Sequence, residues 1–184
     1  MFIHYLVGFF MSMVPMIELK GSILYMIGMT LETVGKATYF YSFLVGYLGS
    51  SLLAPLLLLL FIPIIEWMKT TKLLRGIAEW LESHFRKKSE KLEKQADEKG
   101  ERKAADGDEE KRRKKVEFAK YFGLFVFTAI PLPLTGVWTA SVVAAILKLD
   151  YKKSLLFIVL GNLIAAIAIT ILGGVLGIAF FGGK

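Results

Sequence analysis

Residues 14–22 (Val-Pro-Met-Ile-Glu-Leu-Lys-Gly-Ser) constrain this chain more than any other stretch. They interrupt two apolar runs, residues 2–13 and 23–31, and each run is too short to cross a bilayer. Roughly 20 apolar residues are needed to span ~30 Å of hydrocarbon, whereas a helix of about twelve residues rises only ~18 Å. Pro15, Glu18, Lys20 and Gly21 stand in the interruption. The pattern predicts a re-entrant hairpin: one limb in, an unwound polar tip, and a second limb back out on the same side. Irregular backbone at that depth survives only where protein or a water-filled cavity covers it. A buried acid and base there are costly, which makes them a functional-site hypothesis.

The pattern recurs. Residues 121–130 are a short apolar limb, residues 131–136 (Pro-Leu-Pro-Leu-Thr-Gly) a second broken tip with Pro131 and Pro133, and residues 137–147 a second limb. Each hairpin precedes a block long enough to span, residues 37–65 and 154–181. With an offset of 115, Gly21 falls on Gly136, Leu19 on Leu134 and Gly46 on Gly161. The expected fold is therefore all-α and integral to the membrane: an inverted repeat of two re-entrant helical hairpins (2–31 and 121–147), each followed by a spanning helix. A bundle of five or six ordinary spans is the plain alternative. Residues 1–68 form the first repeat, 69–120 a charged helical insert, and 121–184 the second repeat.

Charge orients the repeat. Seventeen of the 23 Lys and Arg lie in residues 66–120 beside 13 of the 16 acids, so the net charge of +7 reads as a cytoplasmic loop rather than a nucleic-acid surface. The insert then lies in the cytoplasm, hairpin one opens outward, hairpin two opens inward, and both termini are outside. Within the insert, residues 75–92 read as an amphipathic helix, in the headgroup region or packed on its own protein. Residues 94–115 read as a mobile polyampholyte or frayed helix. Residues 2–10 follow no basic segment and precede no small-residue cleavage site, so they read as mature protein. No cysteine is present and histidine occurs only at positions 4 and 84, so no metal or cofactor site is expected. No nucleophile–base pair or phosphate loop is visible, and an enzyme is not expected.

At the tips the sequence resembles the small multidrug export family of bacterial and archaeal membrane proteins. The matching motifs are Pro15-Met-Ile-Glu18-Leu-Lys20-Gly21 and Ile130-Pro-Leu-Pro-Leu-Thr-Gly-Val-Trp138-Thr, with tryptophan and basic residues across 75–88. More distantly, the Pro-x-x-Glu tip and repeat layout resemble the DedA superfamily, whose members handle lipids such as undecaprenyl phosphate. DedA proteins carry arginines in the second tip, where Thr135 and Trp138 stand here, and a further acid for which Lys20 is no equivalent. The resemblance implies a multi-pass plasma-membrane transporter, with membrane lipids as partners and a polyprenyl phosphate or another small amphiphile as cargo.

The tips suggest a mechanism. Helices starting at Gly21 and Gly136 would aim their N-termini at the site, each worth roughly half a positive charge. With Lys20 and the hydroxyls of Ser22, Thr135 and Thr139, this suits an anionic head. Glu18 is then the ion-coupling residue. Alternatively, Glu18 caps a helix and pairs with Lys20 only to hold the tip. Trp138 closes the cavity or lines its wall, and Asn162 bonds a tip or packs a helix. His4 reads as an interfacial residue rather than a proton relay. Gly173, Gly174 and Gly177 permit close packing within the monomer or across a homodimer. Three functions remain open: ion-coupled transport of an anion-headed amphiphile, proton-coupled export of cationic drugs with Glu18 binding the cation, and a non-transporting scaffold that recruits a cytoplasmic partner.

Overall fold

The computed structural model describes residues 2–70, 108–132 and 135–181. Residues 75–92 and Pro133 lie outside them, as does most of the segment read as a polyampholyte. Six helices are described: α1 (Phe2–Met11), α2 (Glu18–Val34), α3 (Ala37–Thr70), α4 (Asp108–Ala129), α5 (Val137–Ile146) and α6 (Tyr151–Phe181). Two of them are long and apolar enough to cross a membrane, over Ala37–Ile65 in α3 and Tyr151–Leu176 in α6. Pro55 and Pro63 lie inside α3 without ending it.

Two boundaries differ from the sequence reading. The first break is shorter than expected: α2 begins at Glu18, so Lys20, Gly21 and Ser22 are helical rather than part of an unwound tip. Turns of the residue 11–17 segment satisfy the backbone, with Glu18 N–H donating to the Val14 carbonyl (2.9 Å) and Gly21 N–H to that of Ile17 (2.9 Å). In the second half Gly136 does precede its helix, as expected. The other boundary is that of α4, which starts at Asp108, so of the two readings of residues 94–115 the helical one holds for 108–115, continuous with the apolar limb.

The packing has a direction. At one end, Tyr5 Oη of α1 lies 3.1 Å from Thr30 Oγ1 of α2 and 3.4 Å from Thr38 Oγ1 of α3. At the other, the Asp150 N–H donates to Tyr121 Oη of α4 (3.0 Å) where α6 begins. Between these ends α3 and α6 run antiparallel. The start of α3 approaches the end of α6, where Gly174 faces Tyr39. Their middles meet where Ser50 Oγ donates to Asn162 Oδ1 (3.4 Å) and Asn162 Nδ2 to Ser51 Oγ (3.1 Å). Ile65, near the far end of α3, packs on Ala145 and Ile146 of α5. Thus α1 and α2 open at the first end of the α3–α6 pair, and α4 and α5 at the opposite end.

The interfaces use small residues. Ala54, Ala140 and Ala144 join Leu57, Leu58, Leu124 and Ile158 in one core, and Ala165 and Ala166 join Leu19, Ile23 and Met26 in another. Leu52, Leu56, Leu59, Ile171 and Val175 stay exposed on the outside of the long helices. Lipid tails are as apolar as leucine, so close backbone approach rather than hydrophobic burial drives such helices together. Gly161 shows this: a Cβ there would stand 2.5 Å from the Phe125 carbonyl and 2.8 Å from Thr128 Cβ on α4.

The position with a comparable environment in α3 is Gly49, which packs on the Phe9 carbonyl of α1 and on Ser12 just past its end. Gly46, which the offset of 115 sets against Gly161, instead meets Ile23 and Met26 of α2. Gly173 packs on Leu24 and Ile27, which places this glycine of the small-residue pattern inside the monomer.

Candidate functional site

The two breaks meet. Glu18, at the first position of α2, is 4% exposed and Lys20 is 7% exposed. Glu18 starts its helix at φ +46°, and Met16 just before it has φ +72°. Left-handed backbone at bulky residues is uncommon and is held by its surroundings. Here it swings the chain from the exposed Met16 into the buried pair.

The Glu18 carboxylate lies against the N-terminus of α5. Its Oε1 accepts the Trp138 N–H at 3.4 Å, and Gly136 packs so closely that a Cβ there would overlap the carboxyl group. An anion at a helix N-terminus is stabilised by the unpaired N–H groups and the aligned peptide dipoles. The same carboxylate also sits in the first turn of its own helix. Two helix ends, expected to face a cargo, therefore converge on Glu18.

Lys20 reaches the residues just before that helix. Its ammonium donates to the Leu132 carbonyl, to the Thr135 carbonyl (2.9 Å) and to Thr135 Oγ1 (3.3 Å), and lies 3.6 Å from Glu18 Oε2. Thr135 Oγ1 in turn lies 2.9 Å from the Ile130 carbonyl and 2.8 Å from that of Leu132. Pro131 takes up the exposed side of the break. Each ammonium proton has an acceptor in reach, and the second tip closes around it.

The remaining candidates separate. Trp138 ties the tips, since its indole N–H donates to the Met13 carbonyl (3.0 Å) and its ring meets Phe61 edge-on. Thr139 is half-buried one residue further along α5. Ser22 faces away from the second tip and donates to the Gly8 carbonyl (2.6 Å), so it fastens α2 to α1. Gly21 packs on Ile17, with Cγ2 2.8 Å from a notional Cβ. Asn162 joins α6 to α3 rather than either tip. His4 Nδ1 lies 3.2 Å from Tyr25 Oη, among the half-buried residues of the first end. Sequence reasoning missed Met13 and Leu132, because backbone carbonyls carry no residue-type signal. Among the described residues no three His, Asp or Glu gather as a metal site would need.

Residues 18–168 match the family described as "Putative small multi-drug export protein". The chain belongs to that family. The matched segment begins at Glu18, so Glu18, Lys20 and the second tip fall inside it, while Met13 and Pro15 lie just before it. No curated protein and no solved structure matches the chain.

Proposed function

We propose that this family member is a proton-coupled secondary transporter of the plasma membrane, built as an inverted repeat of two re-entrant hairpins with DedA-like architecture. The opposite-facing ends of the α1–α2 and α4–α5 pairs support that reading. So do matched details: Tyr5 and Tyr121 each bond at the start of the following long helix, through Thr38 and Asp150. Facing half-length helices around a midplane site are a recurring transporter design.

The cargo proposed is an amphiphile with an anionic head, polyprenyl phosphate being the candidate that the DedA resemblance favours. One observation carries this: the Glu18 carboxyl group occupies the α5 N-terminus against Gly136, a place that suits an anion. Protonating Glu18 removes its charge, and the Trp138 N–H and Lys20 then face whatever anion enters. Proton and cargo would travel together, as a symport. A second reading, export of a cationic drug, draws on the oxygens around the Lys20 ammonium, from Leu132, Thr135 and Glu18. A cationic cargo would compete with Lys20 there and displace a proton from Glu18.

The two readings differ in sign. Purified protein in weakly buffered detergent, with a pH indicator dye, should take up protons on adding polyprenyl phosphate and show no change with a lipophilic cation. Release of protons on adding the cation would favour drug export instead. The Glu18→Gln variant should abolish either signal. If Glu18→Gln transports either cargo in proteoliposomes as well as wild type, the acid only fastens the tips.

A further inference from the structure

We infer that the α4–α5–α6 end of the molecule is a docking surface for anionic phospholipid headgroups, separate from the tips and independent of what they carry. The first turns of α4 hold Asp108, Glu109 and Glu110, and then residues 111–115 are an unbroken basic run (Lys-Arg-Arg-Lys-Lys). Because α4 is one helix from Asp108 to Ala129, this run continues rigidly from the apolar limb rather than trailing in a loop.

Aromatic residues mark the depth. Phe118 and Phe122 are exposed and stacked at 5.9 Å, and Phe118 also meets Phe157 of α6 edge-on. Trp67 is exposed on α3 just beyond Ile65, at this same end. Tryptophan and tyrosine favour the boundary between hydrocarbon and headgroups, so Trp67 marks that level at this end. At 1.5 Å per residue, residues 111–115 lie about 5 to 10 Å beyond Phe118 along α4, outward of the apolar limb.

The neighbouring turn adds to the charge. Lys148, between α5 and α6, and Lys152 and Lys153, in the first turn of α6, are exposed. Acids temper this charge without balancing it: Glu117 pairs with Lys153 (2.6 Å), Asp150 Oδ1 accepts the Lys153 N–H (2.9 Å) as the α6 cap, and Asp108, Glu109 and Glu110 lie within a turn of the basic run. Asp108, Glu109 and Glu110 stand farthest out, where they complement the helix dipole. At the opposite end the α2–α3 turn carries only Glu32 and Lys36. Basic clusters next to a spanning segment attract anionic lipids through the surface potential of the leaflet, and salt weakens them. The occupant that this charge and depth fit is a lipid such as phosphatidylglycerol in the cytoplasmic leaflet.

The test is lipid selectivity of the full-length protein, reconstituted and read by electron spin resonance with spin-labelled phosphatidylglycerol and phosphatidylcholine. Wild type should enrich phosphatidylglycerol at its surface several-fold, and 0.5 M salt should remove most of that preference. Replacing residues 111–115 by glutamine should abolish most of it, whereas Lys36→Gln should not change it. As a second variant, Lys148→Gln with Lys152→Gln should lower it partly while leaving the α4 helix untouched. Equal association of the two lipids with wild type, or a preference unchanged in both sets of variants, overturns the proposal.

Discussion

At the scale of single residues, the buried pair is the sensitive point. Removing one member of a buried ion pair leaves the other uncompensated, at a cost of about 3–5 kcal/mol. Lys20→Met should therefore lower the apparent melting temperature in detergent far more than Glu18→Gln, which keeps an acceptor for the Trp138 N–H. Adding Glu18→Gln to Lys20→Met should restore most of the loss. A double-mutant cycle measured by thermal unfolding checks this, and independent effects would mean that the two side chains do not act as a pair. Gly136→Ala should likewise destabilise by about 1–3 kcal/mol through overpacking against the carboxyl group. Shortening the acid in Glu18→Ala should make that substitution easier to bear, which the same melting assay reads.

Elements explain why the tips sit where they do. The long helices cross where Gly49 and Gly161 admit α1 and α4 closely, and Ser50, Ser51 and Asn162 link them at the crossing. Gly161→Leu should push α4 from α6 and unfold the protein, because a backbone carbonyl cannot move aside as a side chain can. Gly28 gives the contrast, since nothing lies within 4 Å of a Cβ placed there. Gly28→Ala should be neutral or stabilising, by up to about 1 kcal/mol from helix propensity. Melting curves of both variants, with size-exclusion profiles, separate the outcomes. A well-folded Gly161→Leu protein would mean that α4 and α6 are not packed through that position.

For the whole molecule, the testable matter is orientation. The chain has no cysteine, so single cysteines report cleanly. Ser50→Cys with Asn162→Cys should cross-link within one chain on mild oxidation, as the antiparallel crossing of α3 and α6 requires. In right-side-out vesicles, Lys36→Cys should react with a membrane-impermeant maleimide and Lys148→Cys only after permeabilisation. Labelling of both from the same side would place the two hairpin openings together and end the inverted arrangement.

Sequence alone determined that helices flank two breaks and which break holds the acid and base, because a proline, a glycine and charges inside short apolar runs disfavour unbroken helix. It did not show where the first break ends. Residues 18–22 became helix because turns from Val14 and Ile17 satisfy the backbone, a matter of local geometry rather than residue type. Nor did it show what the charges do at the tips. Only the tertiary structure placed Glu18 at the α5 N-terminus, gave Lys20 the carbonyls of the second tip, and drew Ser22 and Asn162 into packing. Ser22 depends on a carbonyl 14 residues away and the others on groups more than a hundred residues away, several of them peptide oxygens that every residue carries alike.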